Sequence, residues 1–155
     1  MSDLEEADNN LSEGFDKQTL DAIAAALHRD GYFVLEDVFR KSLLQNLYQR
    51  SQSLTGDKWK PAGIGRHQGH HLNKRVRSDR IAWINADDPA EADYLSAMEI
   101  LRIGLNQRLF MGLSDFEAHF SKYPVGAFYQ KHIDALKGRS NRILSTVLYL
   151  NAHWR

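Results

Sequence analysis

The stretch Tyr123-Pro-Val-Gly-Ala-Phe-Tyr-Gln-Lys-His-Ile-Asp134, followed by Arg142-Ile-Leu-Ser-Thr-Val-Leu-Tyr-Leu-Asn151, decides how this chain is read. His132 and Asp134 stand two positions apart. In extended backbone such residues point the same way. An imidazole and a carboxylate on one side make two thirds of a 2-His-1-carboxylate facial triad, a ligand set that suits Fe(II) and leaves coordination positions open. The run Ile143–Leu150 is apolar and β-branched, as in a central strand. A third ligand, normally a His from a later strand, has no counterpart before Arg155.

Working back toward the N-terminus, residues 1–14 are polar and acidic and read as a flexible terminus. Asp16 is placed to cap a helix through about Arg29, with Leu20, Ile23, Ala24 and Leu27 on one face. Asp30-Gly31 ends it, and Tyr32–Leu35 reads as a short buried strand. A second amphipathic helix is expected over about Lys41 to Leu54, with Leu43, Leu44, Leu47 and Tyr48 inward. Residues 56–79 are Gly-containing and basic, as in a long loop or β-ribbon. Arg80–Ile84 reads as a strand. Asp87-Asp88-Pro89 opens a third helix to about Leu109, proline suiting the first turn, with Tyr94, Leu95, Met98, Leu101 and Leu105 as its apolar stripe. Phe116–Tyr123 alternates as a strand does. Helices beside late strands give an α+β pattern.

The chain has 155 residues, 43% hydrophobic and 26% charged, with 20 basic against 20 acidic side chains. That size supports one domain with a sizeable core. The charge balance argues against general nucleic-acid binding. There is no cysteine, which excludes disulfides, thiolate metal sites and a Cys nucleophile. The N-terminus lacks a secretory pattern, and no apolar run approaches the ~20 residues of a membrane span. A cytoplasmic protein without membrane contact is the expectation.

Alone, His-X-Asp is a weak signal. In fixed order, however, Tyr123-Pro, Gly126, Phe128-Tyr129, His132-X-Asp134, Arg142 and Leu148-Tyr149-Leu150-Asn151-X-X-Trp154 resemble the prolyl-4-hydroxylase-like Fe(II)/2-oxoglutarate dioxygenases, in particular the hypoxia-sensing prolyl hydroxylases and their bacterial relatives. Arg77-Ser-Asp79-Arg-Ile-Ala-Trp83 looks like that family's Arg-X-Asp-X-X-X-Trp segment. The resemblance covers residues 20–155. It implies N-terminal helices packed on a double-stranded β-helix, or jelly roll, incomplete in this chain, with residues 15–155 as the N-terminal portion of a single dioxygenase domain.

The resemblance further implies that His132 and Asp134 bind Fe(II), that 2-oxoglutarate is the cosubstrate, and that ascorbate is a further small molecule of the reaction. It makes Tyr149 a hydrogen-bond donor to the distal carboxylate of 2-oxoglutarate and sets Tyr123 near the cosubstrate. Tyr129 and Arg142 become candidate catalytic residues beside the metal motif and the substrate entrance. The bland alternative is that the tyrosines are core aromatics with satisfied hydroxyls and that Arg142 pairs with an acidic neighbour. The implied reaction uses dioxygen to hydroxylate a protein residue, proline first, with succinate and carbon dioxide as co-products.

Two family features have no match: the distal His, and the Arg that neutralises the 2-oxoglutarate carboxylate. His153 falls in a turn that the family does not use for metal, and His119 reads as a half-buried strand residue. A catalytically inactive remnant or binding module is therefore the alternative. The basic segment 58–80, with Lys58, Lys60, Arg66, Lys74, Arg75, Arg77 and Arg80 and with His67, His70 and His71, has four readings: a mobile lid over a peptide substrate, a metal site, a nucleic-acid patch, or a solvated loop.

Overall fold

The computed structural model describes residues 14–63, 77–132 and 142–151. They fall into two compact units: residues 14–50, 85–116 and 148–151 in one, and residues 51–63, 77–84, 117–132 and 142–147 in the other.

The first unit is helical. Helix α1, Lys17–Asp30, starts where the Asp16 carboxylate accepts from the Thr19 amide at 2.7 Å. It stops at Gly31, whose φ of 78° is the left-handed conformation glycine adopts without strain. Helix α2 is Lys41–Ser53, and α3 is Pro89–Leu109. The Asp88 carboxylate caps α3 by accepting from the Ala90 and Glu91 amides, with Pro89 just inside.

The core of this unit joins Leu20, Ile23, Ala24 and Ala26 of α1 with Leu43 and Leu47 of α2 and Ala97, Leu101 and Leu105 of α3. Phe39 meets Phe15 edge-on, ring centroids 5.8 Å apart, and also contacts Tyr94. Tyr48, expected inward, is 44% exposed, because α2 buries only the narrow row through Leu43 and Leu47.

The second unit holds a three-stranded antiparallel sheet in the order β1 (Lys60–Pro61), β2 (Arg80–Trp83), β3 (His119–Lys122). Arg80 faces both Pro61 and Lys122, and Trp83 faces His119. Among the described residues β1 is an edge strand, the place in a sheet where the missing N–H of Pro61 is tolerated. Ala82, Phe120, Trp59 and Ala62 are buried here.

The structure corrects three expected strands. Tyr32–Leu35 forms none; Tyr32 and Val34 are exposed, since an apolar run needs a neighbouring ladder to become a buried strand. Ile143–Leu150 likewise has no strand pairing among the described residues, and Val147 is exposed. The strand expected from Phe116 begins only at His119, because β2 offers no partner beyond the bond from the Ile84 amide to the Ala118 carbonyl. The described residues thus support the α+β class as helices plus a small antiparallel sheet. No described helix is long and apolar enough to cross a membrane.

Candidate active site

One chain reversal and one antiparallel pairing build the site. After β3, Pro124 to Ala127 reverses the chain: the Ala127 amide donates to the Pro124 carbonyl at 2.8 Å, and Gly126 takes φ 82°. A type II turn demands a positive φ at that position, which explains glycine there. The reversal lays Phe128-Tyr129 beside the segment entering β2. The Ser78 amide donates to the Phe128 carbonyl and the Phe128 amide to the Ser78 hydroxyl, both at 3.0 Å. Arg77 and Tyr129 form an isolated antiparallel bridge.

Arg77 and Asp79 lie on one side of this extended segment, two positions apart. Their side chains form a forked ion pair: Arg77 Nε donates to one carboxylate oxygen at 2.6 Å and Nη2 to the other at 2.9 Å. The Asp79 side chain is fully buried. The pairing raises the guanidinium's already high pKa, against burial, which lowers it. Planar and charged, the guanidinium lies 4.3 Å from the centre of the Tyr129 ring.

Tyr129 in turn stacks on His132, with centroids 3.7 Å apart and planes 20° from parallel. His132 Nδ1 lies 2.8 Å from the Gln130 carbonyl oxygen. With its proton on Nδ1 donated there, the imidazole turns the Nε2 lone pair outward, the tautomer a metal ligand needs. An imidazole so held fits one nitrogen position of a divalent iron site.

Tyr123, half-exposed, has its hydroxyl pKa raised first by burial and then by the Asp79 charge and a hydrogen bond to that carboxylate. His119 meets the edge of Trp83, centroids 5.4 Å apart, and is half-buried. Burial pushes its pKa down; the Arg77 and Arg142 charges act the same way, and a backbone hydrogen bond and Asp79 oppose them.

The structure therefore brings Tyr123, Tyr129 and His132 to one sheet end in the same unit. Arg142 belongs to that unit too and acts on His119 through its charge. Tyr149 belongs to the helical unit and is 69% exposed. Asp134, His153, the stretch 64–76 of segment 58–80, and with it His67, His70 and His71 lie outside the described residues. Among the described residues no group of three His, Cys, Asp or Glu could hold a metal ion. Sequence reading passed over Asp79 as a structural centre. The signal was Arg-X-Asp itself, a cation and an anion on one side of an extended segment.

No family profile matches the chain, and no curated protein does. Among solved structures it is similar to a crystal structure of a Pseudomonas putida prolyl-4-hydroxylase, at 34% identity and a TM-score of 0.65. The match covers 75% of this chain, which spans 61% of that protein's length. At this identity and overlap, the chain has a prolyl-4-hydroxylase-like fold.

Proposed function

We propose that the domain to which this chain contributes is an Fe(II)- and 2-oxoglutarate-dependent dioxygenase that hydroxylates a protein residue, proline first. The reading assigns the metal to His132 and Asp134, the cosubstrate to Tyr123 and Tyr149, and the substrate side to Tyr129 and Arg142, on a jelly-roll framework. The observation that carries it is the His132 ring, fixed by the Tyr129 stack and the Gln130 carbonyl within a fold similar to a prolyl-4-hydroxylase.

When bound, the iron supplies the oxidising chemistry: dioxygen places one atom in the new hydroxyl and the other in succinate, with carbon dioxide released. The chain's own side chains do the positioning. The Gln130 carbonyl, 2.8 Å from His132 Nδ1, would hold a proton on that nitrogen and leave Nε2 for the metal. Tyr123, whose hydroxyl feels the Asp79 charge, would offer that hydroxyl to the cosubstrate. The basic segment 58–80 would cover a neutral or acidic peptide and exclude water.

Anaerobic titration of the chain with Fe(II) and 2-oxoglutarate tests the reading. A weak visible charge-transfer band that vanishes in His132→Ala and Asp134→Ala supports it. No band in the folded chain, or one indifferent to both substitutions, overturns the metal assignment.

A further inference from the structure

The buried carboxylate of Asp79 has no place in the ligand and cosubstrate roles just assigned, yet a series of contacts runs from it to two side chains that do, Tyr129 and His132. Asp79 grips both ends of the Arg77 fork at 2.6 and 2.9 Å. The Arg77 guanidinium carbon sits over the Tyr129 ring, 4.3 Å from its centre. Tyr129 covers one face of His132 at 3.7 Å. The charge of the same carboxylate also acts on Tyr123, the residue after β3. Only the first member of this series is fully buried; Tyr129 is half-buried and His132 exposed. An exposed imidazole on its own would sample several rotamers. Here its edge is tied to Gln130 and its face to Tyr129.

We propose that Asp79 is a positioning residue that sets the orientation of the His132 ring through Arg77 and Tyr129. Its consequence for metal binding rests on the reading of His132 as a ligand; the ring orientation itself does not. A buried ion pair is weak evidence for stability alone, whereas a planar cation locked by two hydrogen bonds makes a flat, fixed platform for an aromatic ring. Lysine at position 77 would keep the charge opposite Asp79 but lose both the fork and the plane.

The decisive measurement is made on the metal-free full chain with isotope-labelled histidines. Stacking over Tyr129 shifts the His132 ring protons upfield. In Asp79→Asn and in Arg77→Lys these resonances should return toward ordinary imidazole positions, while Tyr129→Phe, which keeps the ring, should retain the shift. The His119 resonances beside Trp83 report whether each variant is folded. If Asp79→Asn does not fold, Arg77→Lys decides.

An unmoved His132 shift in a folded Asp79→Asn or Arg77→Lys protein overturns the proposal. Co(II) titration then reads the consequence: affinity should fall ~10- to 100-fold in Asp79→Asn, as for losses of groups that orient a metal ligand. Equal affinity in wild type and Asp79→Asn removes that consequence. Equal affinity in wild type and His132→Ala instead removes the ligand reading, and the ring resonances still decide the positioning role.

Discussion

Arg50 Nε lies 2.7 Å from Glu91, whose carboxylate is almost fully buried against the first turn of α3. The other Glu91 oxygen accepts from the Asn85 amide at 2.8 Å. A second contact from Arg50 reaches Asp88, the α3 cap, at 3.4 Å. One guanidinium thus ties α2 to the start of α3, and Glu91 raises its pKa against the opposing effect of burial.

Removing Arg50 should therefore cost more than a surface ion pair would. Breaking a buried pair costs about 3–5 kcal/mol. The Arg50 side chain is 30% exposed, so water will partly replace it. Arg50→Ala is expected to lower unfolding free energy by about 2 kcal/mol, read as a fall in the urea midpoint at unchanged slope. A midpoint within error of wild type would mean that solvent satisfies Glu91 fully.

A second prediction concerns the α1–α3 contact. A Cβ built on Gly104 would lie 2.6 Å from Leu20 Cδ1 and 2.7 Å from Cδ2. Gly→Ala in a helix gains about 1 kcal/mol of propensity, while overpacking costs about 1–3 kcal/mol. Gly104→Ala should destabilise slightly. Adding Leu20→Ala, itself a cavity-forming change, should then cost less than the sum of the two single changes. A double-mutant cycle measures the coupling, and additivity within about 0.3 kcal/mol would show that the helices part without resistance.

A third prediction follows from the proposed cosubstrate role of Tyr149. A hydrogen bond to a charged group contributes about 1.5–3 kcal/mol. Tyr149→Phe should raise the 2-oxoglutarate concentration at half-saturation roughly 10- to 100-fold, read in the same anaerobic titration. An unchanged requirement would leave Tyr149 as an aromatic without a cosubstrate contact.

The helices were legible because their signals are local. Asp16, Gly31, Asp88 and Pro89 mark the ends where the structure has them, since a cap depends only on the next three or four residues. The strands were less legible because a strand is completed by its partner. Tyr32–Leu35 and Ile143–Leu150 have strand composition, yet no ladder forms on either among the described residues. At the site, His132 and Tyr129 stood out by motif. Asp79 did not, because burial of a carboxylate depends on segments distant in sequence, such as Phe128-Tyr129, which pairs with Arg77-Ser78.

The last prediction is a pH dependence carried by His119. Burial is the largest influence on this imidazole, with Arg77 and Arg142 adding repulsion, so its folded pKa lies below the ordinary 6.5. Asp79 and a backbone hydrogen bond act the other way but do not reverse the shift. A group whose folded pKa is depressed binds its proton more readily in the unfolded chain, so stability rises with pH through that window. The contribution is complete above about pH 6.5 and drains away as pH falls toward the depressed folded value. Unfolding free energy measured from pH 7.5 to 5 should decline, and His119→Gln, which cannot titrate, should decline less steeply. Parallel profiles for the two proteins would assign the acid sensitivity to other groups.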